Sequence, residues 1–192
     1  MKPVCVVLLL AGLGSSLAFA VPGEAASRNA QAELLDLFSE FCLAAFPDDG
    51  AAGQYAAAKG FRTMPEQKLR PLLGDDQGTG WLYETAFGNY AVTIKQPPTH
   101  TCTISNQLAK VADIRESFGS TLSLWVGTRH MGSLGVFPPT EQEVSGKTAK
   151  VYQWALTRTD GSKETLTATV MPAPDGETEI RLVRSVPDQS GQ

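Results

Sequence analysis

The residues best suited to acid–base chemistry in this chain are its two histidines, His100 and His130. Ser133 follows His130 by three residues in the stretch RHMGSLG. A serine hydrolase needs a nucleophile, a general base and an acid that orients the base, but the G-x-S-x-G turn that presents such a serine is missing. Ordinary surface residues explain the spacing equally well. His130 and Ser133 are therefore candidates for one alternative function, a hydrolase or lyase of unrecognised type with His130 as base.

The acidic and thiol residues form no recognisable metal or cofactor motif. Zinc usually takes three or four His or Cys ligands held close together, and this chain has two histidines and three cysteines. Asp48-Asp49-Gly50 and Asp75-Asp76 could offer oxygens to calcium, but the D-x-D-x-D-G loop is missing. Aspartates are also common in turns and caps. A phosphate-binding loop and a dinucleotide-binding glycine pattern are missing as well. We predict no metal and no cofactor.

The first twenty residues have the layout of a secretory signal peptide. Lys2 precedes an apolar run over residues 4–13, and the small-residue pattern Ala18-Phe19-Ala20 follows. The run is shorter than the roughly 20 residues that span a bilayer comfortably. We predict cleavage between Ala20 and Val21 and a location in the periplasm or outside the cell, with an uncleaved anchor or a buried N-terminal helix as the alternative.

Two cysteines, Cys42 and Cys102, remain after the predicted cleavage, because Cys5 lies in the signal segment. An even number of cysteines in an oxidising compartment favours pairing. We therefore predict one disulfide between Cys42 and Cys102, with two buried free thiols as the alternative. Such a bond would tie a helix to a strand, and its spacing is not that of a C-x-x-C redox motif.

Charge and length exclude some classes of partner. Removal of Lys2 with the signal takes the formal net charge from −4 to −5, and basic residues are not clustered. Nucleic acid is therefore not an expected partner, and no second segment is apolar for long enough to cross a membrane. The length fits one domain. We assign residues 21–29 to a flexible N-terminus, 30–186 to a single domain and 187–192 to a disordered tail.

Four helices are predicted from apolar periodicity and capping residues. Apolar residues at three- and four-residue steps indicate a helix over residues 30–46, which Pro47 ends. Asp49 can cap a helix over 51–59, and residues 65–73 can form a short one. Asn106 can cap a helix over 107–120.

Six strands are predicted from alternation between apolar and polar residues and from the turns between them. They cover residues 81–86, 90–96, 100–105, 150–158, 165–171 and 179–186. The order, helices-βββ-α-βββ, predicts an α+β fold in which N-terminal helices and one middle helix cover an antiparallel sheet of about six strands. The same order suggests two similar halves, although the halves share no residue-level similarity.

The stretch from residue 127 to 145 has no periodicity and is rich in glycine and proline, so we predict a long loop there. With Trp125 beside it, this loop is a possible binding surface, because exposed apolar patches on soluble proteins mark binding sites. The residues that would form the patch are Trp125, Arg129, His130, Met131 and Phe137. Core packing is the alternative role for Trp125.

One resemblance extends over roughly residues 34–120. The pattern FCLAAFPD…YAAAKGF…W…C resembles a group of small exported proteins of unknown function from Gram-negative bacteria. It is carried by Phe38, Cys42, Phe46, Gly60, Phe61, Trp81 and Cys102. The resemblance implies a periplasmic location and a disulfide, and it brings no catalytic residues.

The expected function is that of an exported, non-enzymatic binding or accessory protein. It would bind a periplasmic protein or a small apolar ligand through the sheet face or the loop over residues 127–145. The alternatives are the hydrolase or lyase that uses His130, and an envelope structural factor that acts by oligomerising.

Overall fold

The computed structural model describes residues 22–98, 100–109, 111, 113–144 and 146–187. The predicted signal peptide and its cleavage site lie outside these residues, as do residues 188–192 of the predicted tail. Helices make up 36% of the chain and strands 41%, and the strands form one antiparallel sheet. The α+β class is therefore confirmed, whereas the number of strands and the placement of the helices differ from the prediction.

The first helix is longer than expected. Helix α1 spans Pro22–Leu37 and continues directly as a π-helical segment, Phe38–Ala45. Most of the stretch predicted to be flexible, residues 21–29, is therefore helical; proline is favoured in the first helical turn, where its missing N–H leaves no bond unmade. The predicted end is correct, because Phe46 before Pro47 is extended, with ψ of 142°.

Two short helices follow near their predicted positions. Helix α2 spans Asp49–Ala58, and its N-cap is Asp48 rather than the predicted Asp49. The Asp48 carboxylate accepts a hydrogen bond from the Ala51 backbone N–H at 3.0 Å. Helix α3 spans Glu66–Leu73 and agrees with the prediction to within one residue.

The predicted helix over residues 107–120 is wrong at its start. Helix α4 spans Ile114–Arg129, and Asp113 caps it by accepting a hydrogen bond from the Glu116 N–H at 3.2 Å. Asn106 is not a cap, because it lies inside a strand that continues to Leu108. The misreading has a physical cause: Leu108 continues both the alternation of the strand and the three-residue spacing of the helix.

Within the described ranges, nine strands replace the predicted six. They are β1 (Arg62–Thr63), β2 (Gly78–Glu84), β3 (Asn89–Lys95), β4 (Thr101–Leu108), β5 (Gly132–Val136), β6 (Thr140–Val144), β7 (Lys147–Arg158), β8 (Lys163–Pro172) and β9 (Thr178–Ser185). The long loop predicted over residues 127–145 is therefore wrong, since β5 and β6 occupy most of it. Both are largely exposed, so neither has a buried face to produce alternation.

The sheet consists of two similar halves that meet at its centre. The strand order is β1-β2-β3-β4-β9-β8-β7-β5, with β6 also paired to β7. Helices α1, α2 and α3 come before the β2–β4 meander, and α4 with β5 and β6 comes before the β7–β9 meander. The last strands of the two meanders, β4 and β9, pair antiparallel. The topology therefore has pseudo-two-fold symmetry about the β4–β9 pair.

The helices do not all cover the same face. Helix α1 and its π-helical segment pack against β4, the π-helical segment also contacts β9, and α4 packs against β8. These contacts bury the main apolar core, which we call the inner face. Helix α3 instead packs with Met64 against Leu82 and Ala91 on the opposite, outer face. The rest of the outer face carries no helix within the described residues.

The predicted disulfide is confirmed. Cys42 in the π-helical segment is bonded to Cys102 on β4, and their Cα atoms are 5.6 Å apart. Both residues are fully buried. The bond closes a span of 60 residues and joins the helical layer to the middle of the sheet.

A buried arginine reinforces this junction. Arg184 on β9 pairs in register with Cys102 and is 1% exposed. One of its terminal nitrogens, Nη1, donates to the carbonyl oxygens of Cys42 at 2.8 Å and Phe46 at 2.9 Å, which lie at the end of the π-helical segment. Its Nε donates to the Glu164 carboxylate at 2.8 Å. The guanidinium thus neutralises a buried carboxylate and satisfies helix-end carbonyls that have no partner within the helix.

Candidate binding groove

The candidate site begins where two neighbouring strands separate. The ladder between β3 and β4 runs from Lys95 opposite Thr101 to Ala91 opposite Ser105 and ends there. Strand β4 continues beside β9 to Leu108, while among the described strands the first residues of β3 pair with β2 alone. The sheet therefore forks, and we call the depression at this point the fork groove.

The fork groove has a volume of about 840 Å³, within the range of roughly 300–1,000 Å³ typical of small-ligand sites. Its walls come from α1, α3, the β2–β3 turn and the ends of β4 and β9. The side chains that line it include Lys68, Leu72, Glu84, Phe87, Asn89, Ala91, Ser105, Asn106, Gln107, Glu177, Glu179 and Arg181. Leu72 and Phe87 are 37% and 47% exposed, so apolar side chains face solvent beside a polar floor.

A second hollow of about 310 Å³ extends the groove across the outer face. The two depressions share Leu72, Ala91, Ser105 and Arg181. The strand register places eight hydroxyl side chains on this part of the outer face: Thr93, Thr101, Thr103, Ser105, Thr165, Thr167, Thr169 and Ser185. Six of these eight side chains are half-buried and two, Thr93 and Thr169, are buried. Leu72, Ala91 and Val183 add apolar surface to the same hollow.

Charges around the groove are balanced. Arg181 Nη2 lies 2.8 Å from Glu179 Oε1, and Lys95 Nζ lies 2.9 Å from Asp76 Oδ2. Glu84 forms an ion pair with Arg62. Because each of these charges has a partner of opposite sign, the groove has no strong electrostatic preference for anions or cations.

A polar cluster holds one wall of the groove in place. The Tyr90 hydroxyl donates to Glu33 Oε2 at 2.7 Å and lies 3.1 Å from the Ala30 carbonyl oxygen, so it bridges β3 and α1. The Thr85 hydroxyl donates to the same Glu33 oxygen at 2.7 Å. Burial and the hydrogen bond to Glu33 raise the pKa of Tyr90 above its usual range. Tyr90 therefore stays protonated as a hydrogen-bond donor at neutral pH.

Asn106 lies at the floor of the fork and is 4% exposed. Its Nδ2 atom is buried and makes no hydrogen bond of normal geometry within the described part of the chain. The side chain fills the space beside Gly88: a Cβ at position 88 would lie 2.8 Å from Asn106 Nδ2. A glycine is therefore required at this point of the β2–β3 turn.

The structure does not assemble a catalytic pair from His130 and Ser133. His130 is the C-cap of α4, with the left-handed backbone angles φ 50° and ψ 41°, and Ser133 lies on β5. Both are exposed, and their side chains make no hydrogen bond to each other. The other histidine is structural in character: His100 Nε2 lies 3.1 Å from Asp49 Oδ1, and its ring contacts Phe46.

The predicted binding patch is divided between core and surface. Trp125 is buried, and its ring lies 5.0 Å from the Arg184 guanidinium. Arg129 and His130 are exposed at the end of α4, Met131 is half-buried, and Phe137 is exposed beyond the far end of β5. Five strand residues span about 17 Å, so the two ends of the predicted patch are separate.

A different apolar patch takes in the end of β5. Leu124 on α4 is 68% exposed and Val136 is 57% exposed, and both border a crevice over Trp154. Phe137 follows Val136 in the chain and is also exposed. We call Leu124, Val136 and Phe137 the edge patch. Of the residues predicted for the binding loop, only Phe137 belongs to it.

Sequence reasoning missed the fork groove. Alternating threonines in β4 and β8 were visible in the sequence, as was the apolar Phe87 in a Phe-Gly-Asn turn. Their convergence depends on the pairing of β4 with β9, which joins residues as far apart in the chain as Thr101 and Ser185. No local pattern carries that information.

Two kinds of feature are missing from the described residues. No cluster of three or more His, Cys, Asp or Glu side chains is arranged to hold a metal ion among them. In the same part of the chain, no helix combines the length and apolar character needed to span a bilayer.

Comparisons with known proteins give little further information. No protein-family model matches the chain, and no curated protein matches it. Among solved structures, the chain is similar to a protein of unknown function from Pseudomonas aeruginosa, PA94. The alignment has a TM-score of 0.29 and 11% identity, and it covers 56% of this chain and 83% of the other. A TM-score at this level does not establish a shared fold.

Proposed function

We propose that this chain is an exported, non-enzymatic binding protein whose partner occupies the fork groove and the hydroxyl-lined outer face beside it. The observation that carries the proposal is the groove itself, with its volume of about 840 Å³ and its two exposed apolar side chains. The Cys42–Cys102 disulfide supports export, because such bonds persist in oxidising compartments. The resemblance noted above supports a periplasmic location.

The lining of the groove favours a partner with polar groups over a small apolar ligand. Asn89, Ser105 and Gln107 border the groove, and an apolar ligand would leave such polar groups unpaired on binding. A partner that offers both hydrogen-bonding groups and some apolar surface would use the polar floor and Phe87 together.

The test is capture from a periplasmic extract with the mature chain as bait, compared with two tryptophan variants. Ser105→Trp places a large side chain in the groove, and Thr159→Trp makes the same type of change on the exposed β7–β8 turn. We expect Ser105→Trp to lose the molecules that the unaltered chain and Thr159→Trp retain. Urea unfolding of each variant verifies that it is folded, and Gln107→Trp, at an exposed position, replaces Ser105→Trp if that variant is unstable.

A variant of the two predicted catalytic residues, tested both for capture and for activity in cells, separates binding from catalysis. The double variant His130→Ala/Ser133→Ala should retain the captured molecules and support normal activity in cells. Loss of cellular activity in this variant, with capture unchanged, would favour the hydrolase or lyase instead. Retention of the captured molecules by Ser105→Trp would contradict the use of the groove.

A second candidate, an oligomeric envelope factor, is favoured by the edge patch. Strand β5 is at one edge of the sheet and pairs only with β7 among the described strands. Its sequence, GSLGV, has none of the charged or proline residues that usually protect an edge strand. Under this candidate the chain forms a stable complex on sizing columns, and Leu124→Asp dissociates it.

A further inference from the structure

We propose that the ligand of the fork groove is a linear, uncharged carbohydrate chain. This inference rests on the proposed function and narrows it to one class of ligand. Three features of the groove carry it: its hydrogen-bonding side chains, its exposed aromatic ring and its elongated, electrically balanced shape.

The hydrogen-bonding side chains match the chemistry of a sugar ring. Each sugar hydroxyl both donates and accepts a hydrogen bond, and neighbouring hydroxyls present pairs of such groups. Side-chain amides also offer a donor and an acceptor together, and Asn89 and Gln107 do so from exposed positions on the two sides of the fork. Asn106 adds a buried amide whose nitrogen lies near the Tyr90 hydroxyl but makes no hydrogen bond of normal geometry within the described residues.

Phe87 can provide the apolar platform against which a sugar ring stacks its C–H groups. It is 47% exposed beside the groove, yet its backbone position is fixed. The Phe87 N–H donates to the Thr85 hydroxyl at 3.0 Å, and that hydroxyl donates to Glu33 on α1. The turn is thus tied to the first helix, so the backbone that carries the ring needs little further ordering on binding.

The charges of the groove favour a neutral ligand over a charged one. Lys68 and Arg181 are opposed by Glu84, Glu177 and Glu179 along the lining. Arg181 already pairs with Glu179. Glu84 pairs with Arg62. A charged ligand would have to compete with these ion pairs, whereas a neutral polyhydroxylated ligand binds without displacing them.

The shape of the site favours a chain over a single sugar. The fork groove continues into the second hollow through Ser105 and Arg181. Beyond Ser105, the hydroxyls of Thr103 and Thr101 follow along β4 at alternate positions. Several sugar units in a row could therefore make similar contacts along the strand.

The proposal is tested with two neutral tetrasaccharides, cellotetraose and N-acetylated chitotetraose, titrated into the isotope-labelled mature chain. Backbone amide shifts measured by NMR locate the site. We expect saturable shifts at residues of the β2–β3 turn and of β4 with at least one of the probes, at a Kd of about 1 mM or below. Phe87→Ala should weaken that binding by about tenfold, as loss of an aromatic anchor does at other interfaces.

The matched control is Leu124→Ala, which removes an exposed apolar side chain from the edge patch and should leave the affinity unchanged. Both substitutions are at exposed positions, so neither should affect folding. The proposal is overturned if neither tetrasaccharide gives saturable shifts up to about 10 mM. It is also overturned if the shifts map elsewhere or if Phe87→Ala binds as well as the unaltered chain.

The capture experiment distinguishes a failure of this inference from a failure of the proposed function. If neither tetrasaccharide binds while Ser105→Trp still loses the captured molecules, the groove binds something other than a neutral carbohydrate and only this inference fails. If Ser105→Trp also retains the captured molecules, both the proposed function and the carbohydrate assignment fail.

Discussion

Replacing Arg184 with methionine should destabilise the protein severely. The guanidinium is 1% exposed and donates to both oxygens of Glu164 as well as to three carbonyls of residues 42, 43 and 46. Methionine fills a similar volume but donates no hydrogen bond. Glu164, which is 4% exposed, would keep only its ion pair with Arg158.

The expected loss in the free energy of unfolding follows from the burial of the Arg184–Glu164 pair. Removing one partner of a buried ion pair costs about 3–5 kcal/mol, because the other charge stays buried without full compensation. The helix-end carbonyls that lose their donor add to this cost. With a urea m-value of about 2 kcal/mol/M, the unfolding midpoint should fall by roughly 2 M. Total stabilities are about 5–15 kcal/mol, so this is a large fraction.

The assay is equilibrium urea unfolding followed by tryptophan fluorescence, with the disulfide intact. Arg181→Met is the matched control, because Arg181 lies on the same strand in a more exposed ion pair; we expect a change of no more than about 1 kcal/mol. The double variant Arg184→Met/Glu164→Leu removes both buried charges. It should be more stable than the sum of the two single changes implies, by about 2 kcal/mol or more.

Two results would refute this reasoning. Arg184→Met could unfold within about 1 kcal/mol of the unaltered chain, in which case the buried pair has little role in stability. The double-mutant cycle could also be additive, which would show that Arg184 and Glu164 act independently. If Arg184→Met does not fold, Glu164→Gln provides the measurement, because it keeps the shape of the side chain and removes its charge.

Three further outcomes are expected. Replacing Cys42 and Cys102 together with alanine should lower the free energy of unfolding by about 4 kcal/mol, measured by urea unfolding, because the bond closes a loop of 60 residues; an unchanged midpoint would contradict this. The hydrogen bond from Tyr55, followed by that from Lys59, lowers the pKa of Glu40 below its usual 4.5. The resulting stabilisation is present above pH 4.5 and is lost as the pH falls through the lowered value, so Tyr55→Phe should show a smaller loss of stability on acidification. Burial raises the pKa of Tyr90 in the folded protein. The protonated phenol therefore stabilises the fold below the ordinary tyrosine pKa, and this stabilisation is lost as the pH rises through the raised value. In Tyr90→Phe the free energy of unfolding should fall less steeply at alkaline pH, and a pH profile identical to that of the unaltered chain would contradict this expectation.

Local patterns in the sequence were sufficient to predict the first helix, its end and the disulfide. Leu34, Phe38, Phe41 and Cys42 recur at helical spacing, and all four are fully buried. The end of that helix followed from Pro47, because proline restricts the residue before it. The cysteine pairing followed from parity and the expected compartment rather than from any knowledge of distance. These inferences succeeded because each depends on residues close together in the chain or on covalent chemistry.

Other elements could not be predicted from residues that are close together in the chain. Asn106 and Leu108 suit either a strand or a helix start, and the choice is made by β9, whose Ile180 and Thr178 lie opposite them. Strands β5 and β6 were not predicted, because they are largely exposed at the edge of the sheet and therefore show no hydrophobic alternation. The position of α3 in the chain was predicted, but its place on the outer face was not. Amphipathic spacing shows that a helix has an apolar side but not which face of the sheet that side covers.

The sequence by itself determined the α+β class, the identity of the covalent cross-link and the main amphipathic helix, since these depend on short-range periodicity and on a pair of thiols. Only the tertiary structure decided how the two meanders join, where β3 separates from β4, and hence that Phe87, Ser105 and Arg181 border one groove. The physical reason is that strand pairing is chosen by backbone hydrogen bonds and burial summed over the whole sheet. A groove formed by a break in that pairing has no counterpart in any single stretch of residues.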